Sequence, residues 1–243
     1  MKIHRFADAS AAAQACASGI LNRLEQAIGS NGSASLAISG GSSPRTMFEI
    51  FGRRVFAWDR VHLFWVDERV VPPGDPQSNF KLANDTWLLP AKFPAANIHR
   101  VRTELGPEAA AQRYLADIRS YFGIDVRGGP NFGEIPSFDI IHRGMGPDGH
   151  TASLFPGEPL VADRAGIAAA VWVEKMNQWR VTLLPAVLEA ARHTMMLVTG
   201  ADKAATMKTV LTGEVQPDLY PVQIASRGDV ADWFVDEAAC QSC

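Results

Sequence analysis

Leu36-Ala37-Ile38-Ser39-Gly40-Gly41-Ser42-Ser43-Pro44-Arg45 is the stretch whose reading sets the fold class. Its apolar start is the end of a short buried strand, and its glycines and serines make a turn. Pro44, with no N–H to lose in a first helical turn, opens a helix that runs to about Phe51. The same succession of buried strand and polar turn recurs downstream: 61–66 runs into Asp67-Glu68-Arg69, and 138–141 runs into the glycine-rich stretch 144–149. Upstream, Asp8 caps a helix whose inward positions include Ala13, Ala17, Ile20, Leu21, Leu24 and Ile28, up to a break at 29–32. Ser78 caps a helical stretch to Leu89, and Pro107 opens another to Phe122. Residues 168–174 and 179–184 pair antiparallel around 175–178. A helix over 186–191, a strand over 195–198 and a helix over 202–211 follow. This alternation predicts an α/β fold with a mostly parallel open sheet, helices on both faces and a small antiparallel portion. Residues 123–136 read as a loop between strands of the same character, so residues 1–243 are expected to form a single domain.

Composition narrows the function classes. The chain has 243 residues, 47% hydrophobic and 20% charged, which is ordinary for a globular protein and excludes a disordered or disulfide-scaffold class. Lys and Arg number 23 against 26 Asp and Glu, a net charge of −3, so no bulk positive field holds nucleic acid or an anionic membrane. The longest apolar run is about seven residues, 167–173, against the ~20 that a spanning helix needs. The N-terminal stretch has no apolar signal core, and the three cysteines (Cys16, Cys240 and Cys243) suit reduced thiols, so a cytoplasmic location is expected. Cys240 and Cys243 form a CxxC without the second pair that a zinc site requires.

Three polar clusters finish buried strands, where open α/β sheets collect their ligands. The turn containing Gly40, Gly41, Ser42 and Ser43 has the make-up of an anion cradle: backbone N–H groups, hydroxyls and the positive end of a helix dipole. No Gly-Lys-Ser/Thr follows, so it is not a nucleoside-triphosphate loop. Residues 144–149 match GxGxxG, but Pro147 inside the turn and the position of the next acids, Glu158 and Asp163, argue against a dinucleotide fingerprint. The glycines instead present Asp148 and His150, and His150 is the candidate base. A triad of Asp148, His150 and Ser153 is disfavoured because no GxSxG elbow exposes the serine, which is assigned to the turn before Pro156. The other histidines, His142 among them, show no metal-ligand spacing, so no metal is expected. Arg45, Arg69, Arg180 and Lys203 each stand near a strand end or helix start, where they can meet phosphate. Trp65, Trp87, Trp172, Trp179 and Trp233 are assigned to the core or a pocket wall.

Taken together, SGGSSP at 39–44, VDERVVP at 66–72, SNF at 78–80, GMGPDGHTASLFPG at 144–157, WRVTL at 179–183, VTGADKA at 198–204 and DWFVDEAA at 232–239 resemble the family of 6-phosphogluconolactonases and glucosamine-6-phosphate deaminases. The likeness runs along nearly the whole chain. It implies a Rossmann-like sheet, hydrolysis of 6-phospho-D-glucono-1,5-lactone to 6-phosphogluconate in the oxidative pentose phosphate pathway, and no cofactor. By the same likeness Gly40, Gly41, Ser42 and Ser43 hold the phosphate with Arg45, Arg180 and Lys203. His150 is then the catalytic position, with Asp148, Asp67 and Arg69 around it. One residue departs from the pattern: the position before Gly144, commonly aliphatic in the family, is Arg143. A cation at a strand end is expected to reach water or a carboxylate there. The expected partner is a small sugar-phosphate lactone, with neither nucleic acid nor membrane; the number of copies is open, with a monomer as the working expectation.

Two other readings compete. Deaminases of the family carry a carboxylate five residues beyond the histidine, where this chain has Phe155, and typically Tyr in place of Arg69. A non-catalytic sugar-phosphate sensor would need the cradle but not the intact Asp148 and His150 pair.

Overall fold

The computed structural model describes residues 1–124 and 134–241; most of the glycine-rich stretch read as a loop, and Cys243, lie outside them. The elements, in chain order, are β1 (Lys2–Phe6), α1 (Ala9–Asn31), β2 (Ala34–Ile38), α2 (Pro44–Arg53), β3 (Val61–Trp65), β4 (Asp67–Arg69), α3 (Asn79–Ala83), β5 (Ile98–His99), α4 (Pro107–Phe122), β6 (Ile140–Arg143), β7 (Ala168–Val173), β8 (Gln178–Leu183), α5 (Pro185–Ala190), β9 (Thr194–Val198), α6 (Ala204–Thr212) and β10 (Ala231–Asp236). Seven strands form one sheet in the order β1-β10-β9-β6-β2-β3-β5, with every pair parallel. A second sheet, β4-β8-β7, is antiparallel.

The period of two along the central strands explains why helices cover both faces. On β9, Met195 and Leu197 join the core that includes Ile20 and Leu24 of α1, while Met196 and Val198 pack with Met207 and Val210 of α6. On β10, Phe234 belongs to the first face, and Trp233 and Val235 to the second. Helix α1 starts where its cap predicts, with Asp8 Oδ1 accepting from the Ala11 N–H at 2.8 Å. It ends at Gly32, whose φ of 80° places it in the left-handed region. Past the Ser78 cap the helix is α only through Ala83 and then widens to a π turn, Asn84–Leu88.

Three expectations need correction. Arg143 reaches neither water nor a carboxylate: it is 0% exposed, and its guanidinium donates from Nη2 to the Ile224 carbonyl. Its Nε and Nη1 meet no hydrogen-bond partner among the described residues, and burial pushes its pKa down to about 9. The physical reason is that β6 lies in the middle of the sheet, so a side chain there is covered on either face. Trp172 and Trp179 are each 37% exposed and pack on one another at 5.7 Å across the β7–β8 pair, in neither the core nor the crevice wall, whereas Trp65, Trp87 and Trp233 are buried. Among the cysteines, Cys16 is a free thiol, as expected, and is buried in α1, but Cys240 is disulfide-bonded. Among the described residues no helix is long and apolar enough to cross a membrane.

Candidate active site

The strand order places a crevice before any side chain is considered. From β2 the chain passes through α2 to β3 and β5 on one side of β2, whereas β6, β9 and β10 extend from its other side. The direction of travel reverses between β2 and β6, and ligands of open α/β sheets bind beyond the carboxyl ends at such a switch point. A crevice of about 210 Å³ opens there, lined by Gly40, Gly41, Ser42 and Ser43 together with His150. The serine-glycine turn and the imidazole thus share one cavity. Its volume is below the roughly 300–1,000 Å³ of drug-sized pockets, which suits a small polar ligand better than a dinucleotide.

The turn after β2 is built to stay open. Gly41 has φ of 110°, a conformation that other residues rarely adopt, and a Cβ on Gly40 would lie 2.1 Å from Asn79 Oδ1. Ser43 makes no side-chain cap for α2; its Oγ lies 3.0 Å from Thr199 Oγ1 instead. The first turn of α2 therefore keeps its positive end toward the crevice, as an anion requires. Arg45 stands apart from this inner crevice. It lines an adjoining outer basin of about 630 Å³, which shares Gly41, Ser42, Arg69 and Arg180 with the inner one.

Strand β4 supplies the opposite wall through a buried carboxylate that sequence reading left without a role. Glu68, 1% exposed, accepts from the backbone N–H groups of Arg69 (2.7 Å), Asn79 (2.8 Å) and Phe80 (2.7 Å) and from Ser78 Oγ (3.1 Å). Burial pushes its carboxyl up, against the pull of those bonds. Anchored this way, Asn79 donates to the Asp67 carbonyl at 2.9 Å and accepts from Arg69 Nη1 at 3.0 Å. A second acceptor, the Gln77 carbonyl at 2.7 Å, fixes the Arg69 guanidinium at the crevice wall. Asp67, 5% exposed, accepts from Ser153 Oγ at 2.7 Å and sits 3.6 Å from Arg180 Nη1. Ser153 is thus no local turn cap and no nucleophile beside His150: it spans 86 residues to hold Asp67.

The loop after β6 shapes the third wall. Gly146 donates to the His150 carbonyl at 2.9 Å, and Gly149, with φ of 82°, closes the turn by donating to the Gly146 carbonyl at 3.0 Å. His150 Nδ1 lies 2.5 Å from Asp148 Oδ1. Partial burial pushes the Asp148 carboxyl up, but the bonds from His150 and Lys175 and the nearby imidazole charge outweigh it and hold the group below the usual carboxylate range. An ionised carboxylate only accepts, so the proton between the two sits on Nδ1; in the neutral form of the ring this leaves the lone pair on Nε2. Phe155 stacks on the imidazole with centroids 4.2 Å apart, and His150 lines the crevice while Asp148 stands behind it.

Two cations complete the lining. Arg180, 7% exposed, has an Nε without a hydrogen-bond partner among the described residues, a donor that an anionic ligand would satisfy. Lys203 follows Gly200, whose N–H is held by both oxygens of Asp236 at 3.0 and 3.1 Å, and its ammonium pairs with Asp202. The crevice also contains His142, which sequence reading set aside. It is 1% exposed, both ring nitrogens lack partners among the described residues, and burial pushes its pKa down to about 3, so it is a neutral imidazole. Among the described residues no cluster of three or more His, Cys, Asp or Glu could hold a metal ion.

Comparison with known proteins fits this geometry. Residues 7–233 match the family model described as glucosamine-6-phosphate isomerases/6-phosphogluconolactonase. A 6-phosphogluconolactonase of Synechocystis sp. is 33% identical over 221 residues, covering 90% of this chain and 89% of that protein. A 6-phosphogluconolactonase of Nostoc sp. is 34% identical over 222 residues, with 90% and 89% covered. The crystal structure of a 6-phosphogluconolactonase from Thermotoga maritima superimposes with a TM-score of 0.82 at 27% identity, covering 97% of this chain and 99% of that one.

Proposed function

Because the chain belongs to the glucosamine-6-phosphate isomerase/6-phosphogluconolactonase family, we propose that it hydrolyses 6-phospho-D-glucono-1,5-lactone to 6-phospho-D-gluconate, with His150 as the base. The observation that carries this is the imidazole tied through Nδ1 to Asp148 at 2.5 Å and lining the same crevice as the anion cradle. In this reaction the phosphate sits on the turn containing Gly40, Gly41, Ser42 and Ser43, with Arg180 and Lys203 beside it; Arg45 guards the outer basin. Remote binding energy at the phosphate then positions the lactone carbonyl against the imidazole.

A lactone is an activated ester, so positioning and proton transfer suffice. His150 Nε2 takes a proton from water as the water oxygen bonds to the carbonyl carbon, and the carbonyl π pair moves onto oxygen. Arg69 stabilises that oxyanion, a role of a kind that contributes about 3–4 kcal/mol. When the carbon–ring oxygen bond breaks, the imidazolium returns its proton to the departing oxygen. Asp148 holds the ring in its tautomer throughout, and Asp67 orients Arg180. No cofactor enters this route, and the reading keeps the enzyme in the cytoplasm with the sugar phosphate as its partner.

The deaminase alternative needs a further acid/base five residues beyond the histidine. That position is Phe155, whose ring covers one face of His150 and offers no proton. The deciding experiment follows lactone loss by NMR, corrected for spontaneous hydrolysis, alongside ammonia release from glucosamine 6-phosphate. Acceleration of the first and none of the second is expected. Ammonia release, or binding of 6-phosphogluconate with no acceleration, would overturn the assignment.

A further inference from the structure

We propose that Lys175 is a positioning residue for this reaction. From the turn between β7 and β8 it holds the outer oxygen of Asp148, and so fixes both the placement of the His150 ring and the charge that the ring faces. The inference rests on His150 being the base.

Three side chains form a relay of contacts. Lys175 Nζ donates to Asp148 Oδ2, while Asp148 Oδ1 receives His150 Nδ1 at 2.5 Å. The ammonium also lies 5.0 Å from the centroid of Phe155, the ring stacked on His150. Lys175 thus braces the imidazole along two routes, through the carboxylate and through the aromatic face. Of the three, His150 is the one that lines the crevice, so Lys175 acts from behind it.

The turn is fixed well enough for such a role. Val173 and Gln178 are paired, and the intervening turn closes with Asn177 in the left-handed region (φ 46°) and its N–H on the Glu174 carbonyl at 3.0 Å. Gln178 donates to Gln77 at 2.8 Å, which ties the hairpin to the segment that anchors Arg69.

The electrostatic consequence follows from sign alone. An ionised Asp148 by itself favours the imidazolium, which is useless as a base. An ammonium on its far oxygen offsets that preference and leaves the hydrogen bond intact. The other charged groups that line the crevice with the ring are Arg180 on β8, whose guanidinium lies 5.9 Å from the Phe155 centroid, Asp67 and Arg69 on β4, and Lys203 after β9. Lys175 is the cation that touches the carboxylate bonded to the ring.

Lys175→Met keeps the aliphatic stem over Phe155 and removes the charge, whereas Lys175→Arg keeps the charge. The His150 ring is titrated by NMR in all three proteins, and the pH profile of kcat/KM for the lactone is recorded beside it. In Lys175→Met the ring's titration midpoint is expected to rise by about half to one pH unit, and Lys175→Arg is expected to restore it. Superimposable titrations of wild type and Lys175→Met would overturn the proposal, as would an equal rise in Lys175→Arg. The kcat/KM profile separates the two ideas: its acid limb moves with the ring if His150 is the base. A ring that moves under an unmoved limb would refute the base assignment, and with it the role of Lys175 in this reaction, even though Lys175 sets the charge the ring faces.

Discussion

Replacing Arg143 with methionine is expected to stabilise the protein. The guanidinium is fully buried, and burial pushes its pKa from the ordinary 12.5 down to about 9. A displacement of that size corresponds to a penalty of roughly 5 kcal/mol for keeping the group charged in the fold. Removing it also strips the Ile224 carbonyl of its donor, which costs about 1.5–3 kcal/mol. A net gain of about 2–3 kcal/mol results, within the 1–4 kcal/mol typical when buried ionic groups give way to apolar ones of similar volume. For a chain of this length that raises Tm by about 4–12 °C. The pH dependence has a definite sign. Below about 9 the folded protein bears the full penalty; above it the unfolded chain binds the proton more tightly than the folded one, so wild-type stability rises with pH and the variant's advantage shrinks. Urea unfolding of both proteins at pH 7 and pH 10 measures this. A lower urea midpoint for Arg143→Met at pH 7 would refute the reasoning, since it would mean that the guanidinium is compensated where it lies.

Two further substitutions probe the walls of the crevice. In Gly146→Ala the new Cβ would lie 2.0 Å from His150 Nδ1 and Cε1, so the ring must move; kcat for the lactone is expected to fall about 100-fold with Tm nearly kept, and unchanged turnover would show that the ring position does not matter. Glu68→Ala leaves the N–H groups of Arg69, Asn79 and Phe80 without their acceptor, which is expected to lower stability by about 2–5 kcal/mol in urea unfolding and to raise KM as Arg69 loosens; a loss below 1 kcal/mol would contradict the anchoring role.

Where local pattern and tertiary demand coincide, the sequence was readable. The run of buried strand, glycine-serine turn and Pro44 that opens α2 states its own structure, and Pro107–Phe122 forms the helix its proline and spacing predict. Edge strands are another matter. β1 is exposed along most of its length, so Lys2–Phe6 shows no alternation, and its pairing with β10 depends on the far end of the chain. The cluster Asp67-Glu68-Arg69 reads as a strand end, but it is itself a strand of the second sheet, with Arg69 opposite Arg180. Nothing local reports that register. The serine-glycine turn and His150 were legible because loops at strand ends carry them, whereas Asp67, Arg69 and Arg180 lie on strands of the second sheet and His142 on β6 was passed over. The supports of the crevice residues were not legible: apart from the Arg69 N–H on Glu68, the contacts through which Glu68, Asn79, Ser153 and Lys175 work span 10 to 86 residues. For Asn79 a hint existed in the Ser78-Asn79-Phe80 motif; for Lys175, in a turn between paired strands, none did.

The central claim is that His150 removes the proton from the attacking water in the crevice it shares with the anion cradle. Lactone hydrolysis by wild type and His150→Ala, each corrected for the spontaneous rate and checked for an intact fold, tests it most directly. A fall in kcat of about 10²–10⁴-fold is the predicted result; turnover by His150→Ala close to that of wild type would contradict it.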